Sequence, residues 1–284
     1  MQLFDIAGLT LAVDAPQLLA VGGKWSRFLV HQGEERKPQL LYRVAYADTL
    51  AQPFTLPSYR DAQVRYFPCE GGSLRIYSNF CTATDSLSVL EHTEGEMIVQ
   101  DMTILKQRHP WGTQVDHLTE VFDLSHYLPR FGRLLLHCAY ILYEGEAILF
   151  TAPSGTGKST QAELWRSHLG ATVVNGDRAV IGMENGRMMA YGVPISGSSD
   201  DCENISAPVR AVVSLCQAKE NTIRRLSGAQ ALKHLMRGAY ILPEHQTDFP
   251  RQVELAAQML PNAAVFHLAC LPNVEAAQLL RSQL

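Results

Sequence analysis

The chain has 284 residues, of which 46% are hydrophobic and 18% charged. That is enough apolar material for one large domain or two modest ones, and it excludes a disordered tail or a disulfide-stapled miniprotein. Its 24 basic side chains fall short of its 28 acidic ones, a net charge of −4, so the basic excess of a general nucleic-acid binder is missing.

The N-terminal residues 1–13 include Asp5 before any apolar stretch forms and lack a basic n-region, and no later apolar segment is long enough to span a bilayer. The six cysteines (Cys69, Cys81, Cys138, Cys202, Cys216 and Cys270) are scattered without a C-x-x-C pair, which fits a reducing compartment. The expectation is a soluble, cytoplasmic protein with no membrane insertion and no nucleic-acid partner.

From Leu9 to about Thr103 short alternating runs predict half-buried strands at 27–31, 40–46, 62–67 and 73–77, separated by Gly22-Gly23, Pro57, Gly71-Gly72 and Gly95. Residues 1–115 thus read as a β-rich accessory domain, suited to selecting an acceptor or building a homo-oligomer. Near Asp116 the spacing of Leu118, Val121, Phe122 and Leu128 turns helical until Pro129 and Gly132 interrupt it, so 116–133 reads as a helical connector.

Residues 134–284 read as α/β in mixed order, an α+β arrangement. Apolar runs at 134–142 and 147–150 flank the turn Glu144-Gly145 and predict a hairpin; Ala162, Trp165 and Leu169 mark a helix that Gly170 closes. Strands are expected at 172–174, 179–182, 188–191 and 209–216. Ser227 with Gln230 forms a plausible capping box ahead of Leu232, Leu235, Met236 and Ala239, and Asp248 a cap for a helix presenting Val253, Ala257 and Leu260. A strand at 263–268 and a helix at 274–284 close the chain. Trp165 and Met236 read as core, Arg224-Arg225 as strand surface, and His245 beside Pro243 as a loop residue.

Ala152-Pro153-Ser154-Gly155-Thr156-Gly157-Lys158-Ser159-Thr160 has the spacing of a phosphate-binding P-loop (Walker A), with Ala152 at the first glycine position. Such a loop must aim backbone N–H groups at phosphate oxygens, which Gly155 and Gly157 permit. An apolar strand runs in and an amphipathic helix begins at once, the context the motif requires. Lys158 can then reach the β and γ phosphates, Ser159 can ligate magnesium, and Thr160 adds a donor. The plainer reading is a glycine turn capping a helix.

One helix downstream, Asn175-Gly176-Asp177-Arg178 follows an apolar strand. Asp177 suits a magnesium ligand or a base for an attacking hydroxyl, and equally an ordinary turn aspartate. His137, between Leu136 and Cys138, reads from the residues alone as a core histidine satisfied by a backbone hydrogen bond.

The loop, the acid and their short separation resemble the kinase domain of HPr kinase/phosphorylase, a group related in structure to phosphoenolpyruvate carboxykinase. The resemblance covers about residues 130–284. It implies an active-site role for His137, on the strand before the loop, and places the segment Tyr191-Gly192-Val193-Pro194-Ile195-Ser196-Gly197-Ser198-Ser199 near the active site. Gly176 stands where relatives carry a first acid, which leaves Asp177 alone. What the resemblance implies is a P-loop kinase domain using ATP and Mg²⁺: loop 152–160 holds nucleotide, Ser159 and Asp177 hold the metal, and Lys158, Asp177 and His137 act on a phosphoryl group. The acceptor is a hydroxyl of a peptide, a protein or a small molecule. Two alternatives are a nucleotide sensor without transfer and a simple NTPase.

Overall fold

A computed structural model describes residues 1–31, 33–53, 55–78, 85–108, 111–197 and 199–284. Cys81 and Ser198 lie outside the described residues. The chain divides into two compact units, Met1–Phe122 and Asp123–Leu284. Among the described residues no helix is long and apolar enough to cross a membrane.

The first unit is one eight-stranded mixed sheet. Its strands are β1 (Gln2–Ile6), β2 (Leu9–Asp14), β3 (Leu40–Ala47), β4 (Tyr59–Arg60), β5 (Val64–Cys69), β6 (Gly72–Ser78), β7 (Asp85–Glu94) and β8 (Met97–Leu105), in the order β1-β2-β3-β8-β7-β6-β5-β4. Residues 27–31 do not form the expected strand. Trp25–Phe28 is a 3₁₀ turn whose two ends are buried. The aromatic contacts decide it: Trp25 stands edge-on to Phe4 and to Phe122, each at 5.1 Å, and the i, i+3 spacing of a 3₁₀ turn points Phe28 inward beside it.

The second unit opens with α1 (Leu124–Tyr127) and a 3₁₀ turn that Gly132 closes at φ 69°. Then come β9 (Arg133–Tyr143), β10 (Glu146–Thr151), α2 (Lys158–Leu169), β11 (Thr172–Asn175), β12 (Arg178–Glu184), β13 (Arg187–Tyr191) and β14 (Ser206–Gln217). β15 (Thr222–Leu226), α3 (Gly228–Met236), α4 (Phe249–Met259), β16 (Ala264–Cys270) and α5 (Val274–Arg281) complete it. The architecture is mixed α/β with large sheets. The hairpin is present, with Tyr140 opposite Leu149.

β9 and β14 are long enough to serve two sheets. β9 gives residues 138–143 to β10 and 133–137 to β12, while β14 pairs β13 at its start, then β10 and β16 in parallel. Because side chains alternate along a strand, one face packs Ala139, Ile141, Phe150 and Val213 against Trp165 of α2 and Leu280 of α5. The other packs Leu149, Val212 and Val265 against Leu235 of α3 and Met259 of α4.

Three expectations about the helices are corrected. Ser227 precedes α3 but makes no side-chain cap, and neither does Asp248 for α4. The Asp248 carboxylate instead takes a hydrogen bond from His126 Nδ1 at 2.5 Å. α4 buries Gln252, Ala256 and Met259, a face offset from Val253, Ala257 and Leu260.

His245 is no loop residue either. It is 3% exposed, stacks on the His126 ring at 3.8 Å and donates from Nε2 to Asp123 Oδ2 at 2.6 Å. The atoms of His126, His245 and Asp248 lie close enough for a metal ion. However, Arg130 Nη2 stands 2.7 Å from His126 Nε2. A guanidinium can only donate, so the proton of that ring sits on Nδ1, facing Asp248, and the group reads as a hydrogen-bonded network. Replacing His245 removes a partner of the buried Asp123 carboxylate: His245→Ala should lower unfolding free energy by about 2–3 kcal/mol in urea titrations. A change below about 0.5 kcal/mol would contradict that role.

Candidate functional site

β10 ends at Thr151 and the chain turns through Ala152–Gly157 into α2. Gly155 (φ 76°) and Gly157 (φ 117°) occupy the left-handed region that side chains disfavour, and Gly157 is the residue preceding the helix. A side chain at either would meet no neighbour, so backbone conformation and not space selects glycine. Among the described residues no side chain caps the helix, so the first-turn amides at Gly157, Lys158, Ser159 and Thr160 face outward with the positive end of the dipole. Ser159 and Thr160 are exposed. Beside them lies a cavity of about 340 Å³ lined by Gly155, Gly157, Thr160, Gln161, Gln217 and Cys270.

Lys158 is only 7% exposed. Its ammonium donates to the Ala152 carbonyl at 2.9 Å and to His137 Nε2 at 2.8 Å. With Nε2 accepting, the ring's proton is on Nδ1, which stands 3.3 Å from Asp177 Oδ1. One imidazole therefore bridges the lysine and the aspartate. His137 is a third exposed, so it is not a sealed core histidine. The three side chains arrive from β9, α2 and the β11–β12 turn.

Burial lowers the Lys158 pKa, and Asp177 opposes that shift. The Asp177 carboxyl is held below the usual carboxylate range, chiefly by the hydrogen bond from His137, with Arg178 adding to it and burial opposing. Burial pushes the neighbouring Cys138 thiol up to about 12, so it is not a nucleophile at neutral pH.

Asn175 builds the turn that carries Asp177. Fully buried, it accepts from the amides of Asp177 and Arg178 at 2.9 Å and donates to the carbonyls of Val193 and Ile195 at 3.1 and 2.9 Å. The segment after β13 is thereby strapped across β11. Gly192 permits the crossing, since a Cβ there would lie 1.9 Å from the Glu203 carbonyl oxygen, and a Cβ at Gly197 would lie 3.4 Å from the Asp177 carboxyl carbon. Gly176 faces Ser199, whose Oγ would be 2.8 Å from an added Cβ. Two further residues of the site, Arg178 and Asn175, had no role assigned to them from the sequence. Arg178 approaches Asp177 at 3.3 Å and lies 4.1 Å from the centre of the Tyr240 ring. Asn175 at least had a signal, because Asn-Gly-Asp favours side-chain-to-backbone turns.

The oxygen donors Ser159 and Asp177 suit a hard divalent cation, and the uncapped amides of the loop suit phosphate. No family model matches the chain, and no curated protein matches it. Among solved structures, the Hpr(Ser) kinase/phosphatase from Coxiella burnetii is similar over 52% of this chain and 91% of its own, at 11% identity and a TM-score of 0.32.

Two predictions follow from the geometry. Asn175→Ala leaves buried carbonyls and amides without partners and should cost about 2–4 kcal/mol of stability by urea titration, with Asn175→Asp only partly restoring it. Asp177 has a depressed pKa, so its stabilising contribution is present above the ordinary value of 3.8 and is lost as pH falls below it. The gap in urea midpoint between wild type and Asp177→Asn should therefore narrow from about pH 5 toward about pH 2. A gap independent of pH would contradict the pairing.

Proposed function

We propose that the chain is an ATP-dependent kinase that moves a γ-phosphoryl group to a hydroxyl acceptor with the help of Mg²⁺. The observation that carries the reading is the shared imidazole: Lys158, within an uncapped glycine loop, and Asp177, on a separate turn, converge on His137. A glycine turn serving only to start a helix has no need of a lysine and an aspartate held on one ring.

ATP and Mg²⁺, when bound, supply the activated phosphoryl group and neutralise its charge. The amides of 154–158 would hold the β phosphate, and Ser159 with Asp177 would hold the metal. Ala152, Pro153 and Thr160 complete the loop. Lys158 can move its ammonium from the Ala152 carbonyl to phosphate oxygens, which compensate the burial that lowers its pKa. Asp177 can take the acceptor's proton on a carboxylate oxygen, and the Nδ1–H of His137 orients that carboxylate. Catalysis of this kind is mainly positioning and electrostatics.

Asp177→Asn should lower turnover by about 10²–10⁴ while nucleotide still binds, measured as transfer from γ-labelled ATP in a cell extract. Near-normal turnover would refute the assignment. Lys158→Ala should weaken both binding and turnover. A second reading is favoured by the single acid, since Gly176 is pressed against Ser199 and Arg178 pairs with Asp177. In that reading the chain senses nucleotide without transfer, and label would reach neither an acceptor nor free phosphate. Release of free phosphate alone would mark an NTPase.

A further inference from the structure

On the opposite face of the same sheet lies a polar row that the proposed chemistry leaves unused. Cys138, Thr151, Ser214, His267 and Arg224 are successive cross-strand partners on β9, β10, β14, β16 and β15. Residues in register share a face, and this face is continuous with the apolar layer of Leu149, Val212, Val265 and Leu226. The layer turns polar only at the end next to Thr151, the residue that leads into the glycine loop.

Several polar groups there are buried. His234 of α3 places Nδ1 at 2.8 Å from Ser214 Oγ, with both residues buried, and its ring stands edge-on to His267 at 5.1 Å. Thr151 is 1% exposed, and its hydroxyl has no hydrogen-bond partner among the described residues. The row also touches the other site. A Cβ on Gly238, just beyond α3, would sit 3.0 Å from Thr151 Cγ2, and the Gly238 carbonyl accepts the amide of His137 at 2.7 Å.

Arg224 lies on β15 opposite His267, and Lys233 and Arg237 stand on either side of His234 in sequence, on α3 and at its end. All three are exposed at the surface, and none forms an ion pair among the described residues. Their charge reaches inward: the pKa of His234 is lowered by burial first, then by Arg237, His267, Arg224 and Lys233. Three cations without ion-pair partners among the described residues on one stretch of surface make a local positive field that favours an anionic ligand.

We propose that this cluster binds the anionic group of the phosphoryl acceptor, so that the substrate is an alcohol carrying a carboxylate or a phosphate. Arg224, Arg237 and Lys233 clamp the anion, since guanidinium forks suit both kinds of oxygen pair, and Ser214 and His234 line the floor. Arg237 immediately precedes Gly238, so an anion held there leaves the hydroxyl free to point toward the loop. The identity of the ligand as an acceptor rests on the kinase reading; the anion site itself does not.

The test is calorimetry on the full chain with Mg²⁺ and AMP-PNP in excess, titrating glycerol 3-phosphate, lactate and, as a neutral control, glycerol. The expected result is one-to-one binding of at least one anionic alcohol and none of glycerol; which of the two binds separates phosphate from carboxylate. The doubly substituted Arg224→Gln, Arg237→Gln protein, altered only at exposed positions, should bind that alcohol about tenfold more weakly or worse at unchanged melting temperature. Anionic alcohols that bind no better than glycerol, or binding unchanged in the double variant, would overturn the proposal. If AMP-PNP gives no heat yet anion binding depends on the arginines, the anion site stands and the kinase reading falls. Nucleotide binding without anion binding is the reverse.

Discussion

A lysine ammonium and an aspartate carboxylate brought near each other in a half-buried cleft would ordinarily collapse into a direct ion pair, and a pair of that kind cannot release either partner cheaply. His137 prevents the collapse. Its ring accepts from Lys158 on one nitrogen and presents the other to Asp177, so the two charges are joined through an imidazole that stands between them. Everything proposed for the site depends on that spacing, because each charge keeps its own protonation state and its own freedom to turn toward a ligand.

The fold supplies the spacing through a strand that belongs to two sheets. β9 pairs with β10, which leads into the glycine loop, and with β12, which begins just after Asp177. The amide of Cys138 bonds the Asp177 carbonyl at 2.9 Å, so the backbone of β9 grips the turn that carries the acid. Asn175 then fixes that turn from below, and the strap from Gly192 to Gly197 closes over it. The histidine thus sits on a strand, the loop is anchored between a strand and a helix, and the acid's turn is braced by backbone and Asn175 hydrogen bonds, which is how positioning can contribute to catalysis.

Much of the second unit was readable because its signals are local. Leu134 to Phe150 carries two apolar runs around Glu144-Gly145, both of which have positive φ as a tight hairpin requires, and Trp165 with Gly170 marks the buried face and the end of α2. What failed to be readable depends on contacts distant in sequence. Trp25–Phe28 is a turn because Phe4 and Phe122 enclose it, and Asp248 does not cap α4 because His126, 122 residues away, takes its carboxylate. His245 has no local sign of burial, since its partner Asp123 is equally remote. At the site, the P-loop spacing named Lys158, the strand exit one helix downstream named Asp177 and the family resemblance named His137, whereas the bridge that joins the three and the crossing of Tyr240 over Arg178 are products of tertiary packing.

The most direct measurement is a crystal structure grown with AMP-PNP and Mn²⁺, using the anomalous signal of manganese to locate the metal. The account predicts manganese bonded to the Ser159 hydroxyl and the Asp177 carboxylate, with the γ phosphate on the Lys158 ammonium and the loop amides around the β phosphate. Nucleotide seated away from residues 152–160, or manganese held without Asp177, would contradict it.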